Sequence, residues 1–128
     1  MQERYAALLL VGAGGFAGAV VRYLVALALP FLSTGFPFGT LIVNVSGCLL
    51  IGFISELSVT SSLVSPELRL LLATGFCGGF TTFSSYMYEI ASLLRDGEML
   101  YASLYLFGSI VGGILCLYLG MQIAKVWT

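Results

Sequence analysis

Residues 75–86, Gly75-Phe76-Cys77-Gly78-Gly79-Phe80-Thr81-Thr82-Phe83-Ser84-Ser85-Tyr86, set three glycines and four serine or threonine hydroxyls among aromatic rings inside an otherwise apolar stretch. In hydrocarbon every backbone N–H and C=O must find a partner. Irregular backbone therefore survives there only where it is buried in protein or lines a path for water or ions. Each of Gly75, Gly78 and Gly79 weakens a helix by about 1 kcal/mol relative to alanine, and the Thr81 and Thr82 hydroxyls bond backbone groups locally. The segment predicts a broken helix. A break exposes carbonyls on one side and N–H groups on the other, so one locus suits a cation and also presents a positive dipole end to an anion. Thr82, Ser85 and Glu89 fall roughly along one side of the outgoing half-helix. Phe83 and Tyr86, three apart, form an aromatic pair whose bland reading is packing. Their sharper reading uses the positive ring edge, which contacts a small anion without a full charge that would trap it.

Other spans carry polar residues of the same kind. Thr40 and Asn44 are four apart and share a helix face; an asparagine there reads as interhelical glue ahead of a pore role. Tyr105, Ser109 and Gly112 or Gly113, followed by Cys116, make one face of the last span. Arg22 lies in an apolar context, where an unpaired charge is expensive, and either snorkels to the interface or pairs within the protein. Glu56 and Glu89 pose the same question towards the ends of their spans. Gly14 and Gly18 form a small-xxx-small pattern for close helix approach. Gly12-x-Gly14-x-x-Ala17 imitates a dinucleotide fingerprint but lacks the strand and βαβ unit that motif requires.

These positions belong to a chain of 128 residues that is 59% hydrophobic and 9% charged, with a mean hydropathy of +1.06. That is the composition of an integral membrane protein. At about 20 residues per crossing, four spans fill a single all-α domain over residues 1–128. We read them as about 5–29, 38–58, 68–94 and 99–126, the third broken mid-membrane. Pro30 to Pro37, with Ser33, Thr34 and Gly35, the serine-rich turn before Pro66, and Arg95-Asp96-Gly97-Glu98 make the connections. No internal repeat is apparent, so two-fold architecture requires two chains. Arg4, Arg69 and Lys125 lie on the side of the termini against Arg95 on the other, a weak bias that slightly favours termini inside.

Five basic against six acidic residues leave no basic patch for nucleic acid. No cleavable signal is evident after Arg4. Cys48, Cys77 and Cys116 are scattered, no histidine is present, and zinc, haem and dithiol chemistry lack support. The thiols read as small packing residues. An enzyme is disfavoured by the lack of histidine and of an intramembrane acid pair. A proton-coupled multidrug carrier would want a carboxylate in the first span, which holds only Arg22. A non-conducting assembly protein would treat the polar residues as packing alone.

Three segments together resemble the small fluoride channels of the Fluc or CrcB family: Gly18-Ala19-Val20-Val21-Arg22-Tyr23, Gly39-Thr40-Leu41-Ile42-Val43-Asn44, and Gly75 to Ser84. The resemblance runs in order over nearly the whole chain. It implies an antiparallel, dual-topology homodimer in the bacterial inner membrane, surrounded by lipid, with two fluoride pores and a structural sodium ion at its centre. It puts the sodium ligands on the backbone carbonyls of Gly78 and Thr81, the pore asparagine at Asn44 and the aromatic box at Phe83 and Tyr86. The polar track falls on Thr40, Thr82, Tyr105 and Ser109, and Arg22 joins a vestibule. Two departures stand out: Tyr86 replaces the commoner phenylalanine, and Gly113 replaces a polar residue one turn after Ser109.

Overall fold

The computed structural model describes residues 1–128, except for the side chains of Leu32 and Ser33. The described residues are helical and contain no strand. Helix α1 spans Gln2–Ala28, a short α2 spans Phe31–Thr34, and α3 spans Phe38–Thr60. Next come α4, Pro66–Arg69, a π-helical stretch, Leu70–Cys77, and α5, Gly78–Phe80. Helices α6, Ser84–Arg95, and α7, Met99–Val126, complete the chain. Helices α1, α3 and α7 are each long and apolar enough to cross a membrane. At 1.5 Å per residue, 23 to 28 residues reach about 35–42 Å, beyond the roughly 30 Å hydrocarbon core.

The connections follow from local chemistry. Pro30 and Pro37 flank α2, whose C-cap Gly35 takes φ 74°, a left-handed conformation that costs glycine nothing. The Thr34 hydroxyl donates to the Phe36 carbonyl at 2.7 Å; the Ser33 side chain read as part of this turn lies outside the described residues. Ser65 caps α4 by accepting from the Leu68 N–H at 3.1 Å, with Pro66 at the first helical position. Gly97, at φ 75°, closes α6, where the Glu98 N–H reaches back to the Leu93 carbonyl at 2.8 Å.

Two helix pairs build the bundle, and glycine sets the spacing in both. Helix α1 runs along the π-helical stretch and α5 in the same direction, Gly14 facing Leu71 and Gly18 facing Phe80. A Cβ on Gly14 would meet the Leu71 carbonyl, one on Gly18 the Phe76 carbonyl, and one on Gly79 the Gly15 carbonyl. The Gly14/Gly18 pattern is thus a backbone-to-backbone seam. Helix α3 lies along α7 by the same device, Gly52 against the Leu117 carbonyl and Gly120 against that of Leu49. Helix α6 rests on α7, where Tyr86, Leu93, Ala102 and Tyr105 form a buried cluster.

The 66–80 and 84–95 helical runs are joined by three residues, with Thr81 extended at φ −91°, ψ 159°. All three glycines of residues 75–86 precede this interruption. The eight-residue π-helical stretch lies immediately before it, a wide-turn geometry that usually appears as a single turn.

Gly79→Ala adds a methyl group that runs into the Gly15 backbone, whereas Gly108 has open space around it within the chain. Overpacking costs about 1–3 kcal/mol, exceeding the roughly 1 kcal/mol gained in helix propensity. Gly79→Ala is expected to lower the unfolding temperature in detergent and Gly108→Ala to leave it unchanged or raised.

Candidate functional site at the helix interruption

Thr82 is the hub of the interruption. Its N–H donates to Asn44 Oδ1 at 2.7 Å, and Asn44 Nδ2 donates to its carbonyl at 2.9 Å. The asparagine amide thereby stands in for a peptide unit, taking both backbone groups of Thr82 that the lost helical turn orphans. The Thr82 hydroxyl accepts from the Ser85 N–H at 3.2 Å, capping α6. Thr81 closes the other side: its N–H and its hydroxyl both donate to the Cys77 carbonyl, at 3.0 and 2.8 Å.

Five consecutive carbonyls, those of residues 78 to 82, lose their helical donors here. Phe83 and Tyr86 would donate to Gly79 and Thr82 in a continuous helix and do not. Gly79 instead accepts from Arg22 Nε at 3.0 Å, and Thr82 from Asn44. The donors that would serve Gly78 and Thr81 are the N–H groups of Thr82 and Ser85, and both are diverted to side chains. Among the described residues the Gly78, Phe80 and Thr81 carbonyls receive no replacement. Gly78 is exposed on the single chain, with nothing within 4 Å of where its Cβ would lie.

On one side of Thr82 lies an open cleft of about 370 Å³, lined among others by Asn44, Cys48, Thr82, Phe83, Tyr86 and Ser109. None of its lining residues is charged. The Phe83 ring is 72% exposed and meets Tyr86 edge-on, centroids 6.3 Å apart at 63°. Tyr86 is buried, its ring edge-to-face with Tyr105 at 5.0 Å, and its hydroxyl donates to the Leu106 carbonyl at 2.6 Å. The hydroxyl that departs from phenylalanine is thus bonded to α7. The Tyr86 hydroxyl being taken by Leu106, the Ser109 hydroxyl on the same cleft is buried with no partner at hydrogen-bond geometry. A Cβ on Gly113 would come 3.3 Å from the Cys48 sulfur, so the thiol fills the space the missing side chain leaves.

On the other side of Thr82 lies a cavity of about 490 Å³ that Arg22, Thr40, Ser84, Ser85, Tyr88 and Glu89 also line. The Tyr105 hydroxyl, on a fully buried residue, donates to Glu89 Oε1 at 3.3 Å, and Thr40 lines the same cavity as that carboxylate. Arg22, Thr40 and Glu89 therefore gather at one cavity, and Asn44, Phe83, Tyr86 and Ser109 at the other, with Thr82 common to both.

Sequence reasoning missed two of these partnerships. Glu89 reads as a residue near a span end, yet it sits three residues from Tyr86 and under Tyr105. Its place on the Thr82–Ser85 side of α6 was the available signal. Arg22 finds its partner 57 residues away in a backbone carbonyl, which no side-chain pattern marks.

An all-helical chain with three apolar crossing helices and polar side chains gathered on an interrupted helix is a multi-pass membrane protein. Residues 9–121 match the family model described as "CrcB-like protein, Camphor Resistance (CrcB)", and the chain belongs to that family. Among its relatives is a protein of Chlorobium phaeobacteroides strain BS1 named "Fluoride-specific ion channel FluC", 82% identical over 127 residues, 99% of each chain. Proteins of the same name from Prosthecochloris aestuarii and Clostridium perfringens strain 13 are 71% and 42% identical. They cover 100% and 92% of this chain, and the match spans 100% and 93% of their own lengths.

Asn44→Leu strips both Thr82 backbone groups of their partners, and each unsatisfied group costs about 1–3 kcal/mol. Asn44→Asp keeps the acceptor but sets a carboxylate oxygen against the Thr82 carbonyl. Thermal unfolding is expected to rank the parent above Asn44→Asp and Asn44→Leu; equal stability would show that the pair carries nothing.

Proposed function

We propose that the chain forms a passive fluoride-selective channel, carrying the anion out of the cytoplasm through the bacterial inner membrane. The observation that carries this reading is the cleft beside Thr82, which offers hydrogen-bond donors and no charge. The Ser109 hydroxyl is unpartnered, and Asn44 has a second amide N–H beyond the one given to Thr82. The Phe83 and Tyr86 N–H groups at the start of α6 take no acceptor, and the Phe83 and Tyr86 rings add positive edges. Fluoride is small and strongly hydrated, so a selective path replaces its water with such contacts while holding it weakly enough to release. An ion moving between the cavity of Arg22, Thr40 and Glu89 and the cleft of Asn44, Phe83 and Ser109 passes Thr82, the residue they share, with Tyr105 supporting Glu89 from beneath.

HF crosses the membrane, dissociates in a near-neutral cytoplasm, and the anion is driven outward by the inside-negative potential, about 2.3 kcal/mol per charge per 100 mV. The site includes no phosphate-binding loop, and export down this gradient requires none. The relatives' printed name supports fluoride as the ion and a channel rather than an enzyme.

The broken third span and the antiparallel homodimer belong to the same reading. Gly78 and Phe83 are exposed on the single chain, and a second copy would cover them. Two copies give two clefts, one path each. Sodium is a hard cation that prefers oxygen ligands, and the Gly78 and Thr81 carbonyls, left without donors, fit it. Four such carbonyls from two chains would hold the ion, and bound there it would tie the two interruptions together.

Liposomes loaded with fluoride, clamped with valinomycin and followed by a fluoride electrode, are expected to lose fluoride rapidly and to retain chloride. No fluoride loss from verified dimers overturns the reading. Ser109→Ala removes one donor to the ion, a bond to a charged group worth about 1.5–3 kcal/mol. We expect flux about tenfold lower or less from a folded variant; unchanged flux moves the path away from Ser109.

A further inference from the structure

Arg22 reaches the interruption because of how α1 is seated. Gly15 and Arg22 are seven residues apart, two helical turns, and so lie on one face of α1. Gly15 is pressed against Gly79 so closely that a Cβ on Gly79 would meet its carbonyl. Because α1 runs in the same direction as the 66–80 helical run, two further turns carry Arg22 past the end of that run. Its Nε–H returns to the Gly79 carbonyl at 3.0 Å. The cation stands where a helix ends in unpaired carbonyls, at the negative end of its dipole.

We infer that Arg22 is a positioning residue that sets how many carbonyls the interruption offers to a cation. The inference rests on the cation-site reading above. Of the five carbonyls deprived of helical donors, Arg22 occupies Gly79 and Asn44 occupies Thr82, which leaves Gly78, Phe80 and Thr81, with Gly78 the exposed one. Freed of the guanidinium, Gly79 becomes a further acceptor directly beside Gly78. The oxygen set then grows and loosens, and a larger monovalent ion competes for it. The same bond holds the backbone that presents Thr82, so its loss disturbs the ion path as well. This differs from a vestibule charge that attracts anions, a role that any cationic side chain fills and that salt screens.

The test uses the purified full-length dimer as parent, Arg22→Lys and Arg22→Gln, with thermal unfolding read at equal ionic strength in sodium, potassium or choline. Fluoride efflux is read at low and high ionic strength. The parent is expected to be most stable in sodium. Both variants are expected to lose more than half of the sodium-over-potassium difference, and their flux to fall about tenfold at either ionic strength, the scale of one charge-assisted hydrogen bond. Arg22→Lys carries the test if Arg22→Gln does not fold, since it keeps the charge without the Nε–H. Variants that retain the parent's sodium preference overturn the inference and leave the cation site standing. Indifference of the parent to sodium overturns both. An Arg22→Lys variant that conducts like the parent, beside an Arg22→Gln deficit that grows at low salt, returns Arg22 to anion attraction and also overturns it.

Discussion

A backbone polar group removed from water must be paired, and the architecture around Thr81–Phe83 answers that requirement. Interrupting a helix releases carbonyls and N–H groups together. Two long polar side chains, one from α1 and one from α3, return to the 79 and 82 carbonyls, and Asn44 also takes the Thr82 N–H. One more backbone requirement is met locally, the Ser85 N–H by the Thr82 hydroxyl, while the Thr81 hydroxyl adds a second bond to the Cys77 carbonyl. What remains unpaired is sorted by direction: carbonyls at the end of the incoming run, N–H groups at the start of the outgoing one. A single departure from helical geometry thus leaves unpaired acceptors and unpaired donors a few residues apart.

The glycine seams make this arrangement reachable. Close approach of the helices shortens the distance that Arg22 and Asn44 must span to the 79–82 backbone. Gly14, Gly18 and Gly79 let α1 close on the incoming run, and Gly47 does the same for α3, its absent Cβ making room for the Thr81 methyl. Packing in this protein therefore acts on the site directly, because seam spacing is also the reach of the side chains that hold the interruption.

What the sequence discloses divides along sequence separation. The Gly14/Gly18 seam and the departure from helix after Gly78 and Gly79 are legible because propensity and spacing are local properties. The role of Asn44 is half legible: its type signals an interhelical bond, but its partner lies 38 residues away and is backbone. Glu89 is misleading from sequence, since its distance from the span end says nothing of the tyrosine that α7 brings beneath it. The π-helical stretch carries no compositional mark at all; Leu70–Cys77 would serve equally in an α-helix. Gly113 reads as a lost polar contact until Cys48, on another helix, is seen to fill its space.

The long-range bonds at the interruption all end on main chain: Arg22 on the Gly79 carbonyl, Asn44 on the amide and carbonyl of Thr82. Main chain is the same whatever the residue. Arg22 and Asn44 consequently answer to the path of the chain at 79 and 82 and not to the side chains there. Paired substitution, the trace that touching side chains leave across related sequences, has no reason to link 22 with 79 or 44 with 82. The contacts that hold the interruption together are of the kind that a comparison of sequences passes over, and they become visible only as geometry.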